Sequence, residues 1–209
     1  MSRGGNMARS RRLRRLASGV TLLGAAVSST GCPPPDGTTT TTTPASVFPT
    51  WIAGDSISRG AALAMDTSVN IVGMAGAAFV STARSATTIS QDIGAAILGS
   101  GSMPERVVIV GGVNDRAEVP AVVTDSMTTL EADLESVGVD VVWVTEPAKQ
   151  FASDVAPLNA WILTRPGSLD CAPVVTSSMF ESDGLHPNEA GYAAFAACID
   201  AGLTGGGSS

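Results

Sequence analysis

The chain predicts an α/β domain, a three-layer α/β/α sandwich whose doubly wound parallel sheet has five strands. Three observations carry this. Short β-rich runs alternate with stretches of helical periodicity. Several of the short runs are apolar on both faces, as strands covered by helices on each side must be. The stretches between them are long enough for the crossover connections that parallel strands require.

The elements follow in order. "VFPTWIAG" (47–54) is the first strand, with a helical stretch over 58–66 after it. "VNIVGM" (69–74) and then 84–98 form the second strand and helix, and "RVVIVGG" (106–112) precedes a helix over 119–137. That helix is the clearest, with Val122, Val123, Met127, Leu130, Leu134 and Val137 on one stripe and Gly138 as its stop. "VDVVWVTE" (139–146) leads to a helix over 154–165, and "PVVTSS" (173–178) to a last helix over 187–201. Trp51 and Trp143 fall inside strand runs and are expected in the core. A βαβαβαβαβα order of this kind places chemistry at the carboxyl ends of the strands.

The segments outside the domain have a different character. Residues 1–31 combine a basic start (Arg9, Arg11, Arg12, Arg14, Arg15) with "LASGVTLLGAAV", an apolar stretch too short to span a bilayer, which is the pattern of an export signal. "STGC" resembles a bacterial lipoprotein cleavage site with Cys32 as the lipidated residue, although Ser29 stands where such sites usually carry Leu. "SRRLRR" resembles a twin-arginine signal more weakly. Ordinary cleavage and free secretion is the alternative. The segment 32–46 reads as a Pro/Thr-rich tether, 47–201 as one domain of about 155 residues with a proper core, and 202–209 as a flexible tail.

Charge and cysteines narrow the function classes. Six of the twelve basic residues precede Cys32 and all nineteen acids follow it, so the exported chain has a balance of −13. Such a surface repels phosphate backbones, which argues against nucleic acid as a partner. With Cys32 lipidated, Cys171 and Cys198 remain as an even pair in an oxidising compartment and are expected to form a disulfide, two buried thiols being the alternative.

Four stretches fall at predicted strand ends. In "AGDSISRG" Ser56 stands where a strand turns into a helix, its N–H and the helix dipole directed to one spot, although Asp and Ser there also serve as helix caps. In "GMAGAAF" the glycines allow a tight turn that presents a backbone N–H. In "GGVND" Asn114 offers a side-chain donor, although Asn-Asp is also ordinary turn chemistry. "SDGLHPNEAGY" contains His186, the single histidine of the chain, three residues after Asp183. Asp183 can accept from one imidazole nitrogen and leave the other to take a proton from a hydroxyl; a surface turn with Asn188 as a helix cap is the plainer reading.

Together, in the order Ser, Gly, Asn, His, these stretches resemble the four sequence blocks of the SGNH (GDSL) hydrolase superfamily: "GDSIS", "GMAG", "GGVND" and "DGLHPN". The resemblance covers about 47–201 and implies a flavodoxin-like sheet. It also implies Ser56 as nucleophile, His186 as base and Asp183 as its orienter, with an oxyanion hole from the Ser56 N–H, the Gly76 N–H and the Asn114 side chain. Members often carry Asn where this chain has Ile71, a departure that bears on the turn after the second strand.

The expectation is a monomeric, exported serine esterase acting on small, short-chain esters, acetyl above all, on a glycan or lipid of the cell envelope. Its membrane association would come through the lipid anchor alone, and it would need no metal or other cofactor. An acyltransferase acting on surface carbohydrate, a lipase or thioesterase, and a non-catalytic binding module are the competing readings.

Overall fold

The computed structural model describes residues 49–73, 75–80 and 87–205. The export segment 1–31, Cys32, the tether to 46, residues 47–48 of the first strand, Met74, residues 84–86 of the second helix and residues 206–209 lie outside the described residues. Among the described residues, no helix is long and apolar enough to cross a membrane.

The strands are β1 (Thr50–Gly54), β2 (Asn70–Gly73), β3 (Arg106–Val110) and β4 (Asp140–Trp143). The helices are α1 (Ser56–Ala64), α2 (Ile89–Ser100), α3 (Pro120–Ser136), α4 (Ala152–Ile162) and α5 (Glu189–Gly205). The sheet is wholly parallel, in the order β2-β1-β3-β4. The chain leaves β1 toward one edge to form β2, then crosses back to place β3 on the other side of β1. That reversal makes the carboxyl ends of β1 and β3 the switch point at which doubly wound sheets receive their ligands.

Strand alternation sorts the core into two layers. Trp51, Ala53, Val107, Ile109, Val141 and Trp143 pack on one face with Ile89 and Ile93 of α2 and Val123, Met127, Leu130 and Leu134 of α3. Ile52, Val108, Val110 and Val142 point to the opposite face, toward Ile57 and Ala61 of α1 and Phe195 and Ile199 of α5. Both layers are buried, which is why these strands read as unbroken apolar runs. α3 uses a narrower stripe than its periodicity predicts. Val122 and Val137 are exposed, while Glu131 turns inward to accept from Trp143 Nε1 (3.0 Å) and pair with Arg165 (2.9 Å).

Three expectations are corrected. Among the described residues the sheet has four strands, not five: 173–178 forms no strand, and Ala172–Val174 and Ser177–Met179 are 3-10 turns. Pro173 has no N–H for a ladder, and the place beside β4 is taken by a single parallel bridge between Val144 and Leu169. Leu169 N donates to Trp143 O (2.8 Å) and Thr145 N to Leu169 O (3.0 Å). Within the described residues, 87–88 stand outside the second helix, which begins at Ile89, because Thr88 and Gln91 form a reciprocal capping box there. The last helix extends through Gly205, so residues 202–205 belong to the fold rather than to a tail; Gly202 packs against the Leu169 side chain, which would have to shift to admit a Cβ.

Cys171 is disulfide-bonded to Cys198 of α5 across 27 residues, with Cα atoms 5.8 Å apart. The bond ties the segment after β4 to the helix that follows His186. On the chain-entropy estimate a loop of this length contributes about 3–4 kcal/mol. Replacing both cysteines by Ala is expected to lower Tm by about 10 °C in calorimetry. An unchanged Tm would mean that the bond has no net stabilising effect.

Candidate active site

The site is assembled from the loops at the carboxyl ends of β1 and β3 and from the segment before α5. At the end of β1 the chain turns sharply. Gly54 has φ +146°, and a Cβ there would lie 1.7 Å from Val110 O, so β1 and β3 meet at a contact only glycine permits. Asp55 follows as the N-cap of α1, its Oδ1 accepting from Ile57 N at 2.8 Å. The capping role thus belongs to Asp55, and Ser56 occupies the first helical position with its hydroxyl free for another partner.

That partner is His186. Ser56 Oγ lies 2.9 Å from His186 Nε2, and His186 Nδ1 lies 2.7 Å from Asp183 Oδ2, although Ser56 and His186 are 130 residues apart in sequence. Asp183 Oδ1 also accepts from the backbone N–H of Leu185 (2.9 Å) and of His186 (3.0 Å). The hydrogen bond from His186, followed by those two N–H groups, holds the Asp183 carboxyl down to about 2 although the side chain is half exposed. An ionised Asp183 can only accept, so Nδ1 carries the imidazole proton and Nε2 turns its lone pair to the serine hydroxyl. Glu181 N donates to His186 O (2.8 Å), Phe180 bridges Pro187, and Asn188 Oδ1 receives Gly191 N (3.0 Å) at the start of α5. These contacts fix the short segment that carries the histidine.

Asn114 lies on the 3-10 turn Val113–Asp115 that follows β3. Its Nδ2 donates to Ala77 O (2.9 Å) and, at a longer 3.3 Å, to Asp55 Oδ2. The amide therefore joins the loop after Gly76 to the residue before Ser56. Gly76 itself has φ +84°, a left-handed turn conformation that suits glycine. Both Asn114 hydrogens have acceptors within the protein, and the longer contact to Asp55 is the one an incoming oxyanion can compete for most readily.

Three buried acids lie beneath these loops, and sequence reasoning assigned them no role beyond a possible cap at Asp55. Asp115 receives Phe79 N (2.7 Å) and Val80 N (2.9 Å), pinning the segment after Gly76 to the Asn114 turn. Asp55 and Glu146 are both buried, and burial pushes each carboxyl up, Glu146 further because the Asp55 charge adds to it. The "ND" of "GGVND" could have signalled the second residue as well as the first. Glu146 has no comparable signal, since an acid at the end of a strand is indistinguishable from a solvated one until the chain folds over it.

A cavity of about 560 Å³ lies between α4 and the 172–180 segment, lined by Ala152, Val155, Ala156, Leu163, Val175 and Phe180 among others, with Glu146 at its margin. None of Ser56, Asn114, Asp183 or His186 lines it. Ser56 and His186 lie outside this cavity, with the His186 side chain 36% exposed.

No protein-family model and no curated protein sequence matches the chain. Solved structures do match its fold. A GDSL-like lipase from Bacteroides thetaiotaomicron VPI-5482 superposes with a TM-score of 0.62 at 16% identity, over 75% of this chain and 87% of that one. A carbohydrate esterase family 3 protein from Talaromyces cellulolyticus gives 0.57 at 18%, over 75% and 96%. An acetyl esterase mutant crystallised with an acetate ion gives 0.56 at 18%, again over 75% and 96%. The chain has the fold of the GDSL-type hydrolases.

Proposed function

We propose that this protein is a serine esterase that hydrolyses short-chain esters, acetyl esters above all, through an acyl-enzyme. One observation carries the reading: the unbroken chain of hydrogen bonds from Asp183 through His186 to Ser56, delivered to the N-terminus of α1. The likeness to lipases and acetyl esterases agrees with it.

In this reaction His186 Nε2 takes the Ser56 proton as Oγ attacks the ester carbonyl. The imidazolium that forms is stabilised by Asp183, whose carboxylate already faces Nδ1. The tetrahedral oxyanion develops beside the positive end of the α1 dipole, where the Ser56 N–H, the Gly76 N–H and the Asn114 amide are its donors. Asn114 serves by exchanging its longer bond to Asp55 for the oxyanion. His186 then protonates the leaving alkoxide and activates the water that releases the acyl group. The partly exposed pair, set outside the large apolar cavity, suits a small acyl group better than a long chain. Lipidation at Cys32 would keep this site at the cell envelope, near acetylated glycans or lipids.

The test is a series of p-nitrophenyl esters from acetyl to dodecanoyl, run alongside labelling with a fluorophosphonate. Acetyl and other short esters are expected to give the highest kcat/KM, with the label on Ser56. Preference for dodecanoyl would replace this reading by a lipase. Transfer to an added sugar in place of release to water would make the protein an acyltransferase. An unlabelled Ser56 with no turnover of any ester would leave a binding module.

A further inference from the structure

Glu146, at the end of the β4 segment, is 2% exposed although it carries an ionisable carboxyl. Its backbone is clamped: Glu146 N donates to Asn159 Oδ1 (2.9 Å) and Asn159 Nδ2 donates to Glu146 O (3.0 Å). Its side chain reaches under the neighbouring strand, where Oε2 receives the backbone N–H of Val113 at 2.7 Å. Val113 opens the turn that carries Asn114. The other oxygen, Oε1, is fully buried and receives no donor.

We propose that Glu146 is a positioning residue for the reaction, tying the turn that carries Asn114 to the Asp55 cap that precedes Ser56. The inference rests on the esterase reading above. Two buried carboxyl groups within hydrogen-bonding reach of each other, with no cation paired to either among the described residues, cannot both be ionised at modest cost. One proton between them resolves this, and the donors show where it sits. Asp55 is the acceptor, since Oδ1 receives Ile57 N and Oδ2 receives Asn114 Nδ2. Glu146 Oε1 receives nothing, as suits an oxygen that carries a proton and donates it to Asp55.

The other titratable groups that act on this pair are Asp115, which adds negative charge near Glu146, His186, which acts on Asp55 when it becomes imidazolium, and Tyr192 of α5. Burial and then the Asp55 charge push the Tyr192 hydroxyl up to about 12, so Tyr192 stays neutral beside the pair. Glu146 does not touch the reacting atoms. It acts by holding Asn114 and the Ser56 turn at fixed separation, and a small misplacement of an oxyanion donor is costly in rate.

The experiment compares Glu146→Leu and Glu146→Gln with the wild type on p-nitrophenyl acetate. Glutamine keeps both an acceptor for Val113 N and a donor for Asp55; leucine keeps the volume and neither bond. Glu146→Leu is expected to lose about 10²-fold in kcat with KM within about threefold, while Glu146→Gln retains most of the activity. Equal activity in all three overturns the proposal, and so does a loss in Glu146→Gln as large as in Glu146→Leu. If Glu146→Leu does not fold, infrared spectroscopy of the wild type decides. A protonated-carboxyl band at neutral pH that is absent from Glu146→Gln supports the shared proton, and no such band overturns it. A wild type that is folded, shows the band and neither labels with fluorophosphonate nor turns over ester overturns the catalytic reading and, with it, the positioning role, while the shared proton stands.

Discussion

Ser56→Ala is expected to lower kcat on a short ester by at least about a thousandfold while leaving the fold intact. In the proposed mechanism the Ser56 hydroxyl is the group that forms the acyl-enzyme. Its neighbours would remain: His186 would stay fastened to Asp183, and the donors would stay at the N-terminus of α1. The residual rate would be what those donors and His186, acting on water, can supply. Folding should be little affected because Asp55, not Ser56, caps the helix. His186→Ala should cost a comparable factor, since the two residues act as one unit and their losses do not add. Steady-state kinetics on freshly purified protein, with thermal unfolding as a control, is the measurement. A Ser56→Ala enzyme with wild-type turnover would rule out Ser56 as nucleophile.

The second large effect is expected from Asp183→Asn. The carboxamide can present an oxygen to Nδ1, but it provides no charge to balance the imidazolium, and the reverse orientation stabilises the wrong tautomer. A loss of about 10²–10³ in kcat is expected, below the roughly 10⁴ seen where the orienting carboxylate is buried, because the Asp183 side chain is 49% exposed and water can partly replace it. The pH dependence has a definite sign. The folded-state carboxyl is held at about 2, below its ordinary 3.8, so the ionised form is the one the fold favours. Its contribution to stability is fully present above the ordinary value and is lost as pH falls through about 2. The stability advantage of wild type over Asp183→Asn should therefore shrink across that interval in urea titrations. A constant difference from neutral pH down to 2 would show that the carboxylate is not stabilised by its three donors. Above pH 4 the ionisation of Asp183 should not limit the rate.

The fold was legible because its strands are buried on two faces. Val107–Val110 and Val141–Trp143 are apolar at every position, and each is followed by a stretch with helical periodicity. The structure departs from the local signal where that signal has a tertiary competitor. "PVVTSS" has strand composition, yet Pro173 and the tie from Cys171 to α5 leave it as turns, and Leu169 takes the bridging position instead. Val122 and Val137 fit the apolar stripe of α3, but Val122 lies a rotation of about 100° from the buried Val123 and Val137 is the C-cap beyond the last helical residue, and both remain exposed.

The local chemistry was determined by sequence alone: a serine after a capping aspartate, an asparagine at a strand end, and a histidine three residues from an acid. Each is a short-range pattern set by turn and cap geometry, so neighbouring residues suffice to specify it. Only the tertiary structure decided which of these groups meet. It brought Ser56 within 2.9 Å of His186, linked Asn114 to Asp55 and Ala77, and folded β4 so that Glu146 lies under Val113. The buried acids could not be read in advance because burial is a property of the packed sheet and loops, not of the residue. An Asp or Glu in a strand-end motif reads as solvated until the strands beside it close over it and desolvation raises its proton affinity.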